Sequence, residues 1–170
     1  SCRKEAVNKP ADAITVTGQI ASRETLKTQF INPSVNWQAG IDQIGFYSDR
    51  AYTTAPGVLA ANVPYTAQTT APTSLFTGAV TVYWDGTLNV HNFYAYYPYS
   101  PGTPSVTAIP ISLPSVQAQV GTSTTHIGAL DFEVATPLAL TPNPGNNPLA
   151  AFSYNHLFTI LKFDLTCASA

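Results

Sequence analysis

The sequence predicts an all-β domain, either a sandwich or a Greek-key barrel. Three observations carry this. Apolar residues alternate with polar ones in short runs, the period of half-buried strands. The 14 prolines and 10 glycines interrupt the chain at frequent intervals. No apolar stripe repeats with the 3.6-residue period of a long helix. Short strands separated by turn signals are the pattern of sandwiches and barrels.

Each element follows from its residues. Residues 1–12 read as a tether, charged, with Pro10 and no periodicity. Residues 13–170 read as one β domain, since 170 residues with 45% hydrophobic content suffice for a single core. Ala13–Ile20 alternates cleanly and predicts the first strand. Ala21–Thr28, which holds Arg23, Glu24 and Lys27, reads as an exposed loop. Trp37–Tyr47 is a turn leading into a strand with Ile44 and Phe46 on one face, and Asp49–Tyr52 turns the chain. Asn62–Gln68 and Ser74–Phe76 are short extended pieces. Val80–Trp84 and Leu88–Tyr97 predict a hairpin about a tight turn at Asp85-Gly86, rich in the aromatic and β-branched residues that suit a pleated surface.

The second half is punctuated by Pro101, Pro104, Pro110 and Pro114, which favour edges and loops. Ser105–Leu113 still alternates through Val106, Ala108, Ile109 and Ile111. The pattern leaves room for a short helix around Thr124–Leu130. Thr136–Pro148 is rich in Pro, Asn and Gly and predicts a surface loop. Ala150–Leu165 closes the domain with further strand pattern. Phe46, Phe93, Ala95, Tyr97, Ile160 and Phe163 are the expected buried residues.

Charge narrows the function. Charged residues are 9% of the chain, where about a quarter is usual. Seven Lys and Arg cannot build a broad basic face, which argues against nucleic-acid binding. High apolar content and a net charge of -2 argue against disorder. Between Ala51 and Leu161 no Lys or Arg occurs, so a trypsin-like protease has no site there. No stretch approaches the ~18 apolar residues of a membrane-spanning helix.

Cys2 and Cys167 make no metal or redox motif. A disulfide between them would join the two ends of the chain. Ser1-Cys2 followed by a polar tether also matches the end of a bacterial lipoprotein signal, whose apolar part would lie upstream. On that reading Cys2 carries lipid and Ser1 closes the leader; on the other, Cys2 is a free thiol.

Catalytic signatures are missing from the sequence. His91, His126 and His156 have no partners at metal-ligand spacing. Asp42, Asp49, Asp85 and Asp131 lack the spacing of a calcium loop. There is no nucleophile elbow and no phosphate loop. No cofactor or metal is expected. Tyr94, Tyr96 and Tyr99 could instead offer aromatic faces to a sugar.

Three segments, in order, resemble the fimbrillin family of bacterial pilus subunits: Trp37–Phe46, with Ile41 inserted between Gly40 and Asp42; Tyr83-Trp84 through Phe93-Tyr-Ala-Tyr-Tyr-Pro-Tyr-Ser100; and Phe152–His156 with Leu161-Lys-Phe-Asp-Leu165. The inserted Ile41 suggests a bulge or a longer turn. The resemblance implies a transthyretin-like Greek-key β-sandwich of about seven strands, and a chain corresponding to the N-terminal of two domains. It implies a surface-exposed fimbrial subunit or accessory adhesin, exported as an outer-membrane lipoprotein and joined to other subunits by β-strand addition. By position, Cys2 matches the lipidated cysteine, Ala13–Ile20 the removable first strand, and Arg23 the processing site, with Lys27 its nearest competitor. The competing expectation is a lipoprotein that binds glycans through Tyr94, Tyr96 and Tyr99.

Overall fold

The computed structural model describes residues 12–21, 35–54, 58–102, 105–118, 128, 130–143 and 145–158. Among them the strands are β1 (Val16–Ile20), β2 (Gln43–Ser48), β3 (Tyr52–Thr54), β4 (Val58–Leu59) and β5 (Val63–Ala67), followed by β6 (Thr73–Gly78), β7 (His91–Tyr97), β8 (Glu133–Ala135), β9 (Leu138–Leu140) and β10 (Ala150–His156). The expected short helix around 124–130, and the expected buried residues Ile160 and Phe163, fall wholly or mostly outside the described residues.

Seven strands run side by side as β2-β5-β6-β1-β10-β8-β7, and β7 pairs back onto β2. The all-β expectation holds, but the transthyretin-like sandwich gives way to a closed barrel. A sandwich keeps two separate sheets with free edges. Here β2 is antiparallel to β5 through Ile44↔Tyr65 and to β7 through Phe46↔Ala95, so the sheet has no opening at that point. Closure removes edges that would otherwise template aggregation. One junction is parallel: β1 runs beside β10 from Val16↔Ala150 to Ile20↔Tyr154. Its other side is antiparallel to β6.

Alternation sets the core. Along β1, Val16 and Ile20 point inward while Gln19 is exposed. Phe152 and Tyr154 do the same on β10, and Phe93 and Ala95 on β7. Trp37, just before β2, is 1% exposed and meets Phe76, Tyr97 and Tyr154 edge to face at 5.1 to 5.4 Å between ring centres. Such edge-to-face pairs add to the stabilisation from buried area. Phe46 stacks on Phe93 at 5.7 Å. Tyr97 is only half-buried, packed against this core.

The inserted Ile41 is absorbed by a longer turn. Ile41 and Asp42 both donate to the Gln38 carbonyl, the Asp42 carboxylate accepts from the Gln38 N–H at 2.7 Å, and Ile41 itself points to solvent at 69% exposure. Gly40 supplies the positive φ of 73° that this turn requires.

Three local expectations are corrected. Asp85-Gly86 does turn the chain, with Gly86 at φ 77° and the Asp85 carboxylate accepting from the Thr87 N–H and hydroxyl. The flanking segments do not pair with each other. Tyr83 bridges to Ala13 and Tyr52, and β7 crosses to β2, β8 and β9. Leu138–Leu140, expected within a loop, is strand β9, because its apolar residues cover the His91–Phe93 half of β7. Val106–Leu113 forms no ladder, consistent with its prolines.

Candidate functional site

Strand register assembles a polar group at one end of the barrel. β8 lies between β7 and β10, and Glu133 is opposite both Tyr97 and His156. These three residues therefore form one row across three strands. Glu133 is 1% exposed, an unusual position for a carboxylate. His156 Nδ1 lies 2.6 Å from Asp131 Oδ1 and 3.5 Å from Glu133 Oε1. Glu133 Oε2 is buried and has no hydrogen-bond partner. The Tyr97 hydroxyl donates to Asp42 Oδ1 at 3.0 Å, which closes the same end of the barrel.

Electrostatics follow from this crowding. Burial pushes the Glu133 carboxyl up to about 8, helped by the Asp131 charge and opposed by His156. Burial also raises the Tyr97 phenol, with the Asp42 charge next in importance. One ligand atom each from Asp131, Glu133 and His156 lies within 4.8 Å of the other two, a spacing suited to a metal ion. Sequence reading missed this group. Asp131 and Glu133 are more than twenty residues from His156, and only the β8–β10 register brings them together.

A second polar group sits around the Asp85 turn. His91 is fully buried; its Nδ1 faces the Asn89 carbonyl at 2.9 Å and its Nε2 lies 3.2 Å from Asp85 Oδ1. Arg50 reaches the same carboxylate at 2.9 Å. This group fastens the β2–β3 turn to the start of β7.

The expected binding tyrosines separate. Tyr96 is 4% exposed, and its ring lies against Gly45, where a Cβ would collide with it. Its hydroxyl donates to Asn62 Oδ1 at 2.9 Å and accepts from the Ser100 N–H at 3.0 Å. Tyr94 and Tyr99 are half-exposed. Tyr94 lines a concavity of about 340 Å³ with Val106 and Ile109, and Tyr99 lines a neighbouring one of about 460 Å³. Cys2, Arg23 and Lys27 lie outside the described residues.

Strand β1 occupies a slot between β6 and β10, bonded on both sides. Its inward residues Val16 and Ile20, and Ile14 just before the strand, are each at most 6% exposed. Between Val16 and Ile20, Gly18 faces the rings of Tyr154 and Phe76, where a Cβ would approach carbons of both to 2.8 and 2.9 Å. The Gly18 carbonyl accepts from the Trp37 indole at 3.2 Å. The slot thus reads an apolar–small–apolar pattern.

The described residues thus build a closed all-β barrel with an aromatic core, polar groups at its ends and a first strand paired on both sides. The chain belongs to the fimbrillin-like family, whose profile matches residues 28–170. Among solved structures, the chain is similar to a candidate cell adhesion protein from Bacteroides uniformis, at 23% identity and a TM-score of 0.49. That match covers 86% of this chain and 47% of the other, so this chain spans about half the length of that protein. No curated protein matches the sequence.

Proposed function

We propose that this chain is a domain of a fimbrial subunit or accessory adhesin, non-catalytic and displayed at the bacterial surface, which joins other subunits by β-strand addition. Membership of the fimbrillin-like family over residues 28–170 carries this reading. The geometry of β1 supports the assembly step. Removing a strand that pairs on both sides exposes two ladders, on β6 and β10, and an apolar slot between them. A donor strand entering that slot gains affinity from backbone hydrogen bonds and register from side chains at alternate positions.

Cys2 is the proposed lipid-attachment residue for export to the outer membrane, and Arg23 the proposed cleavage point. Arg23 is three residues beyond the end of β1 at Ile20. Cleavage there would release β1 alone. The next arginine, Arg50, is held in an ion pair with Asp85 and follows β2, so cutting it would sever more of the barrel.

Expression of the full-length precursor in a bacterial host tests the proposal. Cys2→Ser should abolish labelling by a radioactive fatty acid and surface display. Arg23→Ala should leave surface-attached monomer and no fibres by electron microscopy. Unchanged fibres in Arg23→Ala would exclude processing there. The half-exposed Tyr94 and Tyr99 beside two concavities favour the second reading, a glycan-binding lipoprotein. That reading predicts saturable calorimetric binding of a polysaccharide that is lost in Tyr94→Ala.

A further inference from the structure

We propose that Asp131, Glu133 and His156 form a binding site for one divalent transition ion of the zinc class, which clamps β8 onto β10. The donor set is one imidazole nitrogen and two carboxylates. Imidazole favours zinc-like ions over calcium or magnesium, and three protein ligands with an open position form a familiar zinc arrangement. Among the described residues these are the three whose ligand atoms converge within 4.8 Å.

The independent observation is Glu133. Its side chain is 1% exposed and belongs to the converging set, yet Oε2 has no hydrogen-bond partner. A buried polar atom without a partner is costly, and native structures rarely keep one without a reason. An ion that engages both oxygens of the Glu133 carboxylate, Oε1 beside His156 and the orphaned Oε2, would supply the missing interaction.

The two separations from His156 come close to what an ion needs, and the Asp131 and Glu133 ligand atoms lie within 4.8 Å of each other. Two ligands at about 2.1 Å from a tetrahedral ion lie about 3.4 Å apart. His156 Nδ1 and Glu133 Oε1 are already 3.5 Å apart. His156 Nδ1 and Asp131 Oδ1, at 2.6 Å, are hydrogen-bonded and must open by nearly 1 Å. Asp131 precedes β8 and is not held in the ladder, so a side-chain rotation provides the opening. Asp131 and His156 keep 17% and 9% of their side chains exposed, which gives the ion a way in. The strand it would hold is short: β8 has three residues and meets β7 through only two register pairs.

The test is calorimetric titration of zinc chloride into the whole chain carrying Cys2→Ser and Cys167→Ser, which removes thiolate ligands. The expected result is one zinc per chain, with a raised melting temperature in its presence, since a ligand of the folded state stabilises it. Glu133→Gln and Asp131→Asn should each weaken binding at least about tenfold and cancel the thermal shift, because loss of even outer-shell partners costs about that much. Asp131→Asn changes a partly exposed residue, and its unchanged melting curve without zinc would show that the fold is intact. No saturable zinc binding, affinity unaltered by both carboxylate variants, or tighter binding of calcium than of zinc would each overturn the proposal.

Discussion

Asp85 shows how one side chain can organise a turn and a strand start together. Burial works to raise its carboxyl, but hydrogen bonds from Thr87, the His91 charge and Arg50 outweigh it and hold the group below the usual aspartate range. A carboxylate whose folded-state value is lowered contributes stability that is present above its ordinary value, about pH 4. That stability is lost as pH falls through the lowered value. Asp85→Asn should therefore cost about 1–2 kcal/mol at pH 7 in urea unfolding, as expected for a partly buried charged hydrogen-bond group. The difference from the parent should shrink below about pH 4. A constant difference down to pH 2 would mean that the carboxylate charge is irrelevant. Residue identity made the turn legible, because Asp-Gly is a strong turn signal. The partners Arg50 and His91 were not legible, since both arrive from other strands.

At the scale of elements, alternation read the inward faces of β1, β2 and β7 well. Ile44, Phe46, Phe93 and Ala95 are all at most 3% exposed, as their positions imply. Pairing read poorly. The Asp85-Gly86 turn suggested a hairpin, yet β7 finds three other partners. Local turn chemistry specifies a change of direction, not the strand that is met next. β9 was hidden for a similar reason: Leu138-Ala-Leu140 is too short to signal against its Pro- and Asn-rich flanks. The Asp131–Glu133–His156 group depends wholly on β8–β10 register and left no trace in spacing. Phe93 offers a direct check on β7. It contacts Phe46 and Trp84 and is fully buried. Phe93→Ala should lower stability by about 3–5 kcal/mol through lost burial and the resulting cavity. A cost below about 1 kcal/mol would place the ring on the wrong face.

At the scale of the whole molecule, composition allowed a sandwich or a barrel, and the family resemblance favoured the sandwich. Alternation is the same in both, so only the double pairing of β2 distinguishes them. In the closed barrel β1 matters more than its five residues suggest. It completes the wall, and its Gly18 admits the Tyr154 and Phe76 rings to the core. The central claim is that β1 is replaceable. The measurement is limited trypsin digestion followed by mass spectrometry, then incubation with a peptide from the C-terminal end of the full-length protein. Apart from trimming at Arg3 and Lys4, the first cut should fall at Arg23 or Lys27, where the sequence reads as a polar loop, and loops are nicked before strands. The stretch from Ala51 to Leu161, which contains no Lys or Arg, should survive within one large fragment. The uncut chain should not polymerise, since its own β1 fills the slot. After cleavage, the donor peptide should displace the freed β1 segment, and a peptide with a bulky residue opposite Tyr154 and Phe76 should not. First cleavage at Arg50, or no exchange even under mild denaturant, would contradict assembly by strand replacement.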